Sequence, residues 1–168
     1  ISKIRTGLRN DQAITIMLNA KDCTPDDMRP LLEDFTDEVD TIRLAVDPER
    51  LAHATTLAKG IKSLGFKVAV NLMYLSKQNL DSPVFEKLAD SGDLIDIVNL
   101  VDSYGSCYPD QVLSFFSHLR QRLPQTLGFH GHDNIGLAFA NSLAALEGGA
   151  ELIDSTLLGM GRGAGNLR

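Results

Sequence analysis

Thr126-Leu127-Gly128-Phe129-His130-Gly131-His132-Asp133-Asn134 reads as a strand that delivers two histidines to one place. Along a strand, the side chains of residues i and i+2 point to the same face. His130 and His132, spaced in this way after a short apolar run, would project together from the strand's last residues. Two imidazoles on one face suit two nitrogen ligands on a single divalent metal. Asp133 reads as the N-cap of a helix beginning near Asn134, so the stretch forms the turn of one strand–helix unit.

The same unit recurs along the chain. Strands are expected at Ala13–Leu18, Val39–Val46, Lys67–Leu72, Leu94–Val101, Leu127–His130 and Leu152–Thr156, separated by helical patterns. Helix starts are marked by Thr24-Pro25-Asp26-Asp27, Asp47-Pro48-Glu49, Ser82-Pro83 and Tyr108-Pro109-Asp110. Each sets a proline at the first helical position, where its missing N–H is no loss. Gly65, Gly92 and Gly148-Gly149 mark helix ends. Met17, Met73 and Phe115-Phe116 are expected in the core, and His53 and His118 on helix surfaces.

The 168 residues, 43% hydrophobic and 23% charged, suffice for one domain with a core, residues 1–168. The net charge of −6 without a Lys/Arg cluster argues against a nucleic-acid or anionic-membrane partner. No apolar run reaches membrane-spanning length and no signal-peptide pattern precedes the first strand. Cys23 and Cys107 have no metal-type spacing. Two reduced thiols in a cytoplasmic protein are the expectation.

Strands alternating with helices imply a parallel α/β sheet, either doubly wound or rolled into a (β/α)8 barrel. A sheet covered on both faces tends to have near-continuous apolar strands. Here polar residues alternate with apolar ones: Thr41 and Arg43, Asn71, then Asn99 and Ser103. A barrel that turns one set of residues into its mouth accounts for this better. Only about six strands are found, where a closed barrel needs about eight.

The last forty residues resolve the choice. His130-Gly131-His132-Asp133-Asn134-Ile135-Gly136-Leu137-Ala138, then Ala140-Asn141-Ser142, Gly148-Gly149-Ala150 and Leu158-Gly159-Met160-Gly161-Arg162-Gly163-Ala164-Gly165-Asn166, resemble the DRE-TIM metallolyases (HMGL-like). Asp102-Ser103-Tyr104-Gly105 with Pro109 resembles that superfamily's fifth-strand motif, and Val39-Asp40-Thr41-Ile42-Arg43-Leu44-Ala45 resembles its third strand less specifically. The resemblance implies a partial TIM barrel of about six βα units, strands two to seven. In the family, an Arg-Asp or Arg-Glu sequence ends the first strand and supplies a metal carboxylate and a polarising Arg. Neither Arg5-Thr6-Gly7 nor Arg9-Asn10-Asp11 fits, because no apolar strand leads into it. The expectation is therefore that the first and last strands, and with them the general base, lie outside these residues.

Within the superfamily, the order His132-Asp133-Asn134 and the loop Gly161-Arg162-Gly163, which lacks a Cys, resemble the 4-hydroxy-2-oxovalerate aldolase branch. That resemblance implies a lyase cleaving a 4-hydroxy-2-oxo acid to pyruvate and an aldehyde with a divalent metal, Mn2+ or Mg2+ (Zn2+ or Co2+ as alternatives). Such an acid chelates a metal through its carboxylate and oxo oxygens, and the metal acts as a Lewis acid. The metal ligands implied are His130, His132 and Asn166, the last matching a ligand of the lyase branch whose alternative role in the aldolase branch is to shape the loop. Substrate contacts are implied at Ser103 and His130, with a plain turn residue after the strand as the alternative for Ser103. Arg43, directed into the barrel, binds a substrate anion or forms an interior ion pair. An aldehyde dehydrogenase is a common partner in the aldolase family, and a homo-oligomer is the other expectation. The alternatives are an acyl-CoA-dependent synthase of the isopropylmalate synthase type and a non-catalytic barrel. The Gly159–Gly165 run is expected to be a loop near the site, not a phosphate cradle.

Overall fold

The computed structural model describes residues 1–9 and 11–168; Asn10, inside the Arg9-Asn10-Asp11 run, lies outside the described residues. Six strands form one parallel sheet in chain order: β1 (Thr15–Asn19), β2 (Thr41–Val46), β3 (Lys67–Leu72), β4 (Ile97–Asp102), β5 (Thr126–Gly131) and β6 (Leu152–Asp154). The helices are α1 (Ser2–Arg5), α2 (Met28–Leu32), α3 (Leu51–Ser63), α4 (Pro83–Ala89), α5 (Pro109–Leu119) and α6 (Ala138–Glu147). When every crossover adds its strand on the same side, the twist between neighbours accumulates in one direction. The sheet accordingly curls into part of a TIM barrel. β1 pairs with β2 and β6 with β5; among the described residues these two end strands are not hydrogen-bonded to each other.

The alternation read from the sequence sorts the strands' two faces. Ile42, Leu44 and Val46 of β2, Val68, Val70 and Leu72 of β3, Val98 and Leu100 of β4, and Leu127 and Phe129 of β5 are buried in the layer between sheet and helices. Each such side chain contributes roughly 1.5–3 kcal/mol by leaving water. Leu57 and Ile61 of α3 and Val112, Phe116 and Leu119 of α5 close this layer, and Phe116 meets Phe129 edge to face at 6.0 Å. The opposite, concave face carries the polar set Thr41, Arg43, Asn71, Asn99 and His130. Gly128 is needed there, because a Cβ at that position would fall 2.0 Å from Asn99 Oδ1.

At the entry end, two aspartates perform the same task. Asp40 Oδ2 accepts the Ile14 N–H at 2.7 Å and pairs with Arg5, while Asp96 Oδ2 accepts the Val68 N–H at 2.7 Å and pairs with Lys62. Each carboxylate thus satisfies an amide at the start of the preceding strand.

All six expected strands are present; Lys67–Leu72 has the expected bounds and the other five have shifted ends. Leu94–Val101 starts only at Ile97, because Gly92–Leu94 is a short 3-10 turn entered through Gly92 at φ +51°. Leu152–Thr156 ends at Asp154. The helix expected near Asn134 starts at Ala138 instead, since Gly136 at φ +73° closes a turn onto the Asp133 carbonyl. Asp133 still caps the helix, accepting the Ala138 N–H at 2.9 Å. Met17 is not core: it lies on the concave face of end strand β1 and is 55% exposed. His53 is not a free surface residue either. Its half-buried ring contacts the Ala20 and Cys23 carbonyls at 3.1 and 3.0 Å. No described helix is long and apolar enough to cross a membrane.

Candidate metal and substrate site

β5 presents His130 in the strand and His132 one residue beyond it, where an isolated bridge joins His132 to Asn166. The two rings share a face, with centroids 5.1 Å apart and planes at 78°. Both line a cavity of about 1000 Å³ at the strands' C-terminal ends, together with Asn71, Ser103, Tyr74, Tyr104 and the loop 161–164. A smaller cavity of about 470 Å³ lies against the Leu75–Lys77 turn and α5, and contains neither histidine.

Each imidazole is held through Nδ1. His130 Nδ1 lies 3.0 Å from Asp154 Oδ2, and His132 Nδ1 lies 3.3 Å from the Gly165 carbonyl. A carbonyl oxygen only accepts, so His132 Nδ1 carries the proton in that bond. With Nδ1 so engaged on both rings, Nε2 is left to act as a neutral ligand. Holding the second nitrogen on a carboxylate or carbonyl is the usual way a ligating histidine is oriented. Burial, then the neighbouring His130, push the His132 pKa down, which favours the neutral form a metal needs.

Asn166 completes the donor set. Its Nδ2 donates to the Met160 carbonyl at 3.2 Å, while its Oδ1 is buried with no hydrogen-bond partner among the described residues. An acceptor left bare in a residue that shares a cavity wall with two imidazoles fits a cation. Gly161 makes this possible, since a Cβ there would fall 2.5–2.9 Å from the Asn166 carboxamide. Among the described residues, no three His, Cys, Asp or Glu side chains gather to hold a metal. A divalent ion held by His130, His132 and Asn166 would take its remaining ligands from other groups.

Arg43 stands in the interior ion pair, the second of its two expected roles. Its Nη1 lies 2.5 Å from Asp154 Oδ2, both side chains are largely buried, and Arg43 is absent from the cavity wall. Burial opposes ionisation of Asp154, but the hydrogen bonds from His130 and Arg43 outweigh it and hold the carboxyl below its ordinary pKa. Ser103 is on the wall, and its Oγ accepts the Tyr74 N–H at 2.9 Å. Its hydroxyl proton remains available to a ligand.

The main omission of the sequence reading is Asp154. Its signal in the sequence is only an acid at an inward position of β6; the structure is what sets it in register with His130. The sequence shows Asp102 only as part of a motif. It is fully buried and builds the loop that carries Ser103, accepting the Ser106 and Cys107 N–H groups at 3.1 and 2.9 Å.

A family model described as HMGL-like matches residues 31–168. The chain is 32% identical over 132 residues to an oxaloacetate decarboxylase of Mycobacterium tuberculosis, covering 77% of this chain and 39% of that protein. It is 36% identical over 137 residues to a 4-hydroxy-2-oxovalerate aldolase of a Marinomonas species, covering 76% of this chain and 38% of the relative. The chain thus spans under two fifths of the length of these curated relatives. Among solved structures, the N-terminal domain of a putative aldolase from Bacteroides vulgatus superposes with a TM-score of 0.91 at 41% identity, over 99% of this chain and 56% of that one. A pyruvate carboxylase of Rhizobium etli shares the fold alone, with a TM-score of 0.78 at 19% identity over 90% of this chain and 16% of that one.

Proposed function

The chain belongs to the HMGL-like family, and on that footing we propose that it carries the metal and substrate site of a carbon–carbon lyase that cleaves a 4-hydroxy-2-oxo acid to pyruvate and an aldehyde. The observation that carries this reading is the pair His130 and His132, each held at Nδ1 so that Nε2 is free, on one cavity wall with Asn166 and its bare Oδ1. These three residues would hold a divalent ion, Mn2+ or Mg2+. When bound, such an ion serves as a Lewis acid that stabilises charge developing on the 2-oxo oxygen as the bond breaks. Asp154 orients His130, and Arg43 keeps Asp154 ionised for that task. Ser103 donates to the substrate's carboxylate or oxo oxygen. The curled sheet closes one side of the cavity to water, which strengthens these polar contacts. Cytoplasmic placement and an aldehyde dehydrogenase partner belong to the same proposal.

The test is pyruvate release from 4-hydroxy-2-oxo acids by the intact protein, after chelation and again after Mn2+ is restored. Metal-dependent release supports the reading, and its absence from every such acid overturns it. A second reading, decarboxylation of oxaloacetate to pyruvate and carbon dioxide, is favoured by the decarboxylase relative. It needs the same metal-held 2-oxo acid and differs only in the group that leaves. Oxaloacetate in the same assay separates the two.

A further inference from the structure

The protein carries an excess of acid, 22 Asp and Glu against 16 Lys and Arg, yet its large cavity reverses that balance. Lys21, Arg50 and Arg162 stand on the wall, against Asp47 as the acidic residue there. One Asp47 oxygen is already engaged, accepting the Glu49 N–H at 3.0 Å. Among the described residues, none of the three cations forms a salt bridge, whereas Arg5, Arg29, Arg43, Lys62 and Arg120 each have a carboxylate partner. A concave surface with unpaired charge of one sign focuses its field on ligands of the other sign.

The cations occupy two poles. Arg162 follows Gly161, which presses on the Asn166 carboxamide, so it belongs to the histidine end. Lys21 and Arg50 follow β1 and β2, four and three strands from β5 in the sheet. At about 4.8 Å per strand, β2 and β5 are roughly 14 Å apart along the sheet, less across its curl and less again by the reach of two long side chains.

An aromatic wall stands between the poles. Tyr74 at the end of β3 stacks on Tyr104 after β4, with centroids 5.5 Å apart and planes at 25°. Tyr74 holds a left-handed backbone, φ +65°, which a bulky side chain rarely adopts. The Ser103 hydroxyl fixes its N–H, and Lys77 Nζ sits 5.3 and 5.0 Å from the centroids of the two rings. Strain of this kind persists only where its surroundings impose it, and it collects at ligand clamps.

We propose that Lys21 and Arg50, with the Tyr74–Tyr104 stack leading to them, form a subsite for a second anionic group, so that the substrate is a dicarboxylic 2-oxo acid. The inference rests on the reading of the histidine end as a 2-oxo acid site. The head carboxylate and oxo group lie at His130 and His132, the carbon chain runs along the tyrosines, and the distal carboxylate meets Lys21 and Arg50. The aldehyde released on cleavage is then itself acidic.

The test measures binding of two inert probes of equal carbon number, 2-oxoadipate and 2-oxohexanoate, to the intact Mn2+-loaded protein by calorimetry. The dicarboxylate is expected to bind at least tenfold more tightly, and added salt to shrink the difference. In the double variant Lys21→Gln/Arg50→Gln the preference should fall to within twofold. Equal affinities in the unmodified protein, or a preference that survives in the double variant, overturn the subsite. Pyruvate release from 4-hydroxy-2-oxo acids separates the two ideas. Release without a dicarboxylate preference leaves the lyase and removes the subsite. A preference dependent on Lys21 and Arg50 without any release leaves the subsite and removes the lyase. Failure of both probes to bind removes both.

Discussion

His130 is tied to Asp154, its Nδ1 lying 3.0 Å from Oδ2, the same carboxylate oxygen that accepts from Arg43 Nη1. The tie fixes the ring on the cavity wall by its Nδ1 and leaves Nε2 without a hydrogen-bond partner among the described residues. Asp154→Ala is therefore expected to weaken Mn2+ binding by roughly 10–100-fold. It also strands the buried Arg43 charge, so a stability loss of about 3–5 kcal/mol accompanies it. Arg43→Met should lower stability too while leaving His130 its carboxylate, and so retain more metal affinity. Titration calorimetry and denaturant unfolding of both variants check the split. Equal metal affinity in Asp154→Ala and the unmodified protein would refute the role given to Asp154.

Gly105 joins the Ser103 loop to the histidine segment. It sits at φ +56°, and a Cβ there would fall 2.6 Å from both the His132 carbonyl and the Asn134 nitrogen. Gly105→Ala adds left-handed strain to a backbone clash, for an expected loss of about 2–5 kcal/mol. Because the clash falls on His132 itself, Mn2+ affinity should drop with it. A variant with unchanged melting temperature and metal affinity would contradict this packing.

Asp40 gives a pH dependence. The Ile14 N–H, and after it Arg5, hold its carboxyl below the ordinary value despite partial burial. A carboxyl depressed in the folded state binds its proton more readily when unfolded. Its stabilisation is therefore present above the unfolded pKa of about 3.9 and is lost as pH falls through the lower folded value. Asp40→Asn should lower the melting temperature at pH 7 and narrow its gap from the unmodified protein below about pH 4. A gap independent of pH between 7 and 3 would count against it.

Cys107 is 1% exposed, and burial, then Asp102, push its thiol pKa up to about 12. Thiolate is the reactive form, so native protein at about pH 8 should leave Cys107 unlabelled by iodoacetamide and release it on unfolding. Peptide mapping by mass spectrometry checks this. Rapid native labelling of Cys107 would show that the Asp102 loop opens.

Much of the fold was legible because it is written at short range. Alternation within Thr41–Val46 and Lys67–Leu72 assigns their faces by itself, and the prolines at 25, 48, 83 and 109 mark where helices begin. The i, i+2 spacing of His130 and His132 sufficed to set both rings on one cavity. Local signals failed where a glycine redirected the chain, as Gly136 did by delaying α6 to Ala138. They failed also at the edge of the sheet, where Met17 has a core residue's character but no neighbour to bury it.

What only the tertiary structure decided are the pairings between distant residues. Arg43 and Asp154 are 111 positions apart, and nothing along the chain says that an arginine of the second strand meets an acid of the sixth. Their contact depends on the register of every intervening strand and on the curl that brings β2 and β6 across the concave face. The same holds for Tyr74, Tyr104 and Lys77, and for the Ser103 hydroxyl on the Tyr74 amide. Periodicity fixes which way a side chain points, because that follows from the backbone repeat. Which partner it meets is set by the packing of the whole sheet, so the histidines could be found from the sequence and the groups that hold them could not.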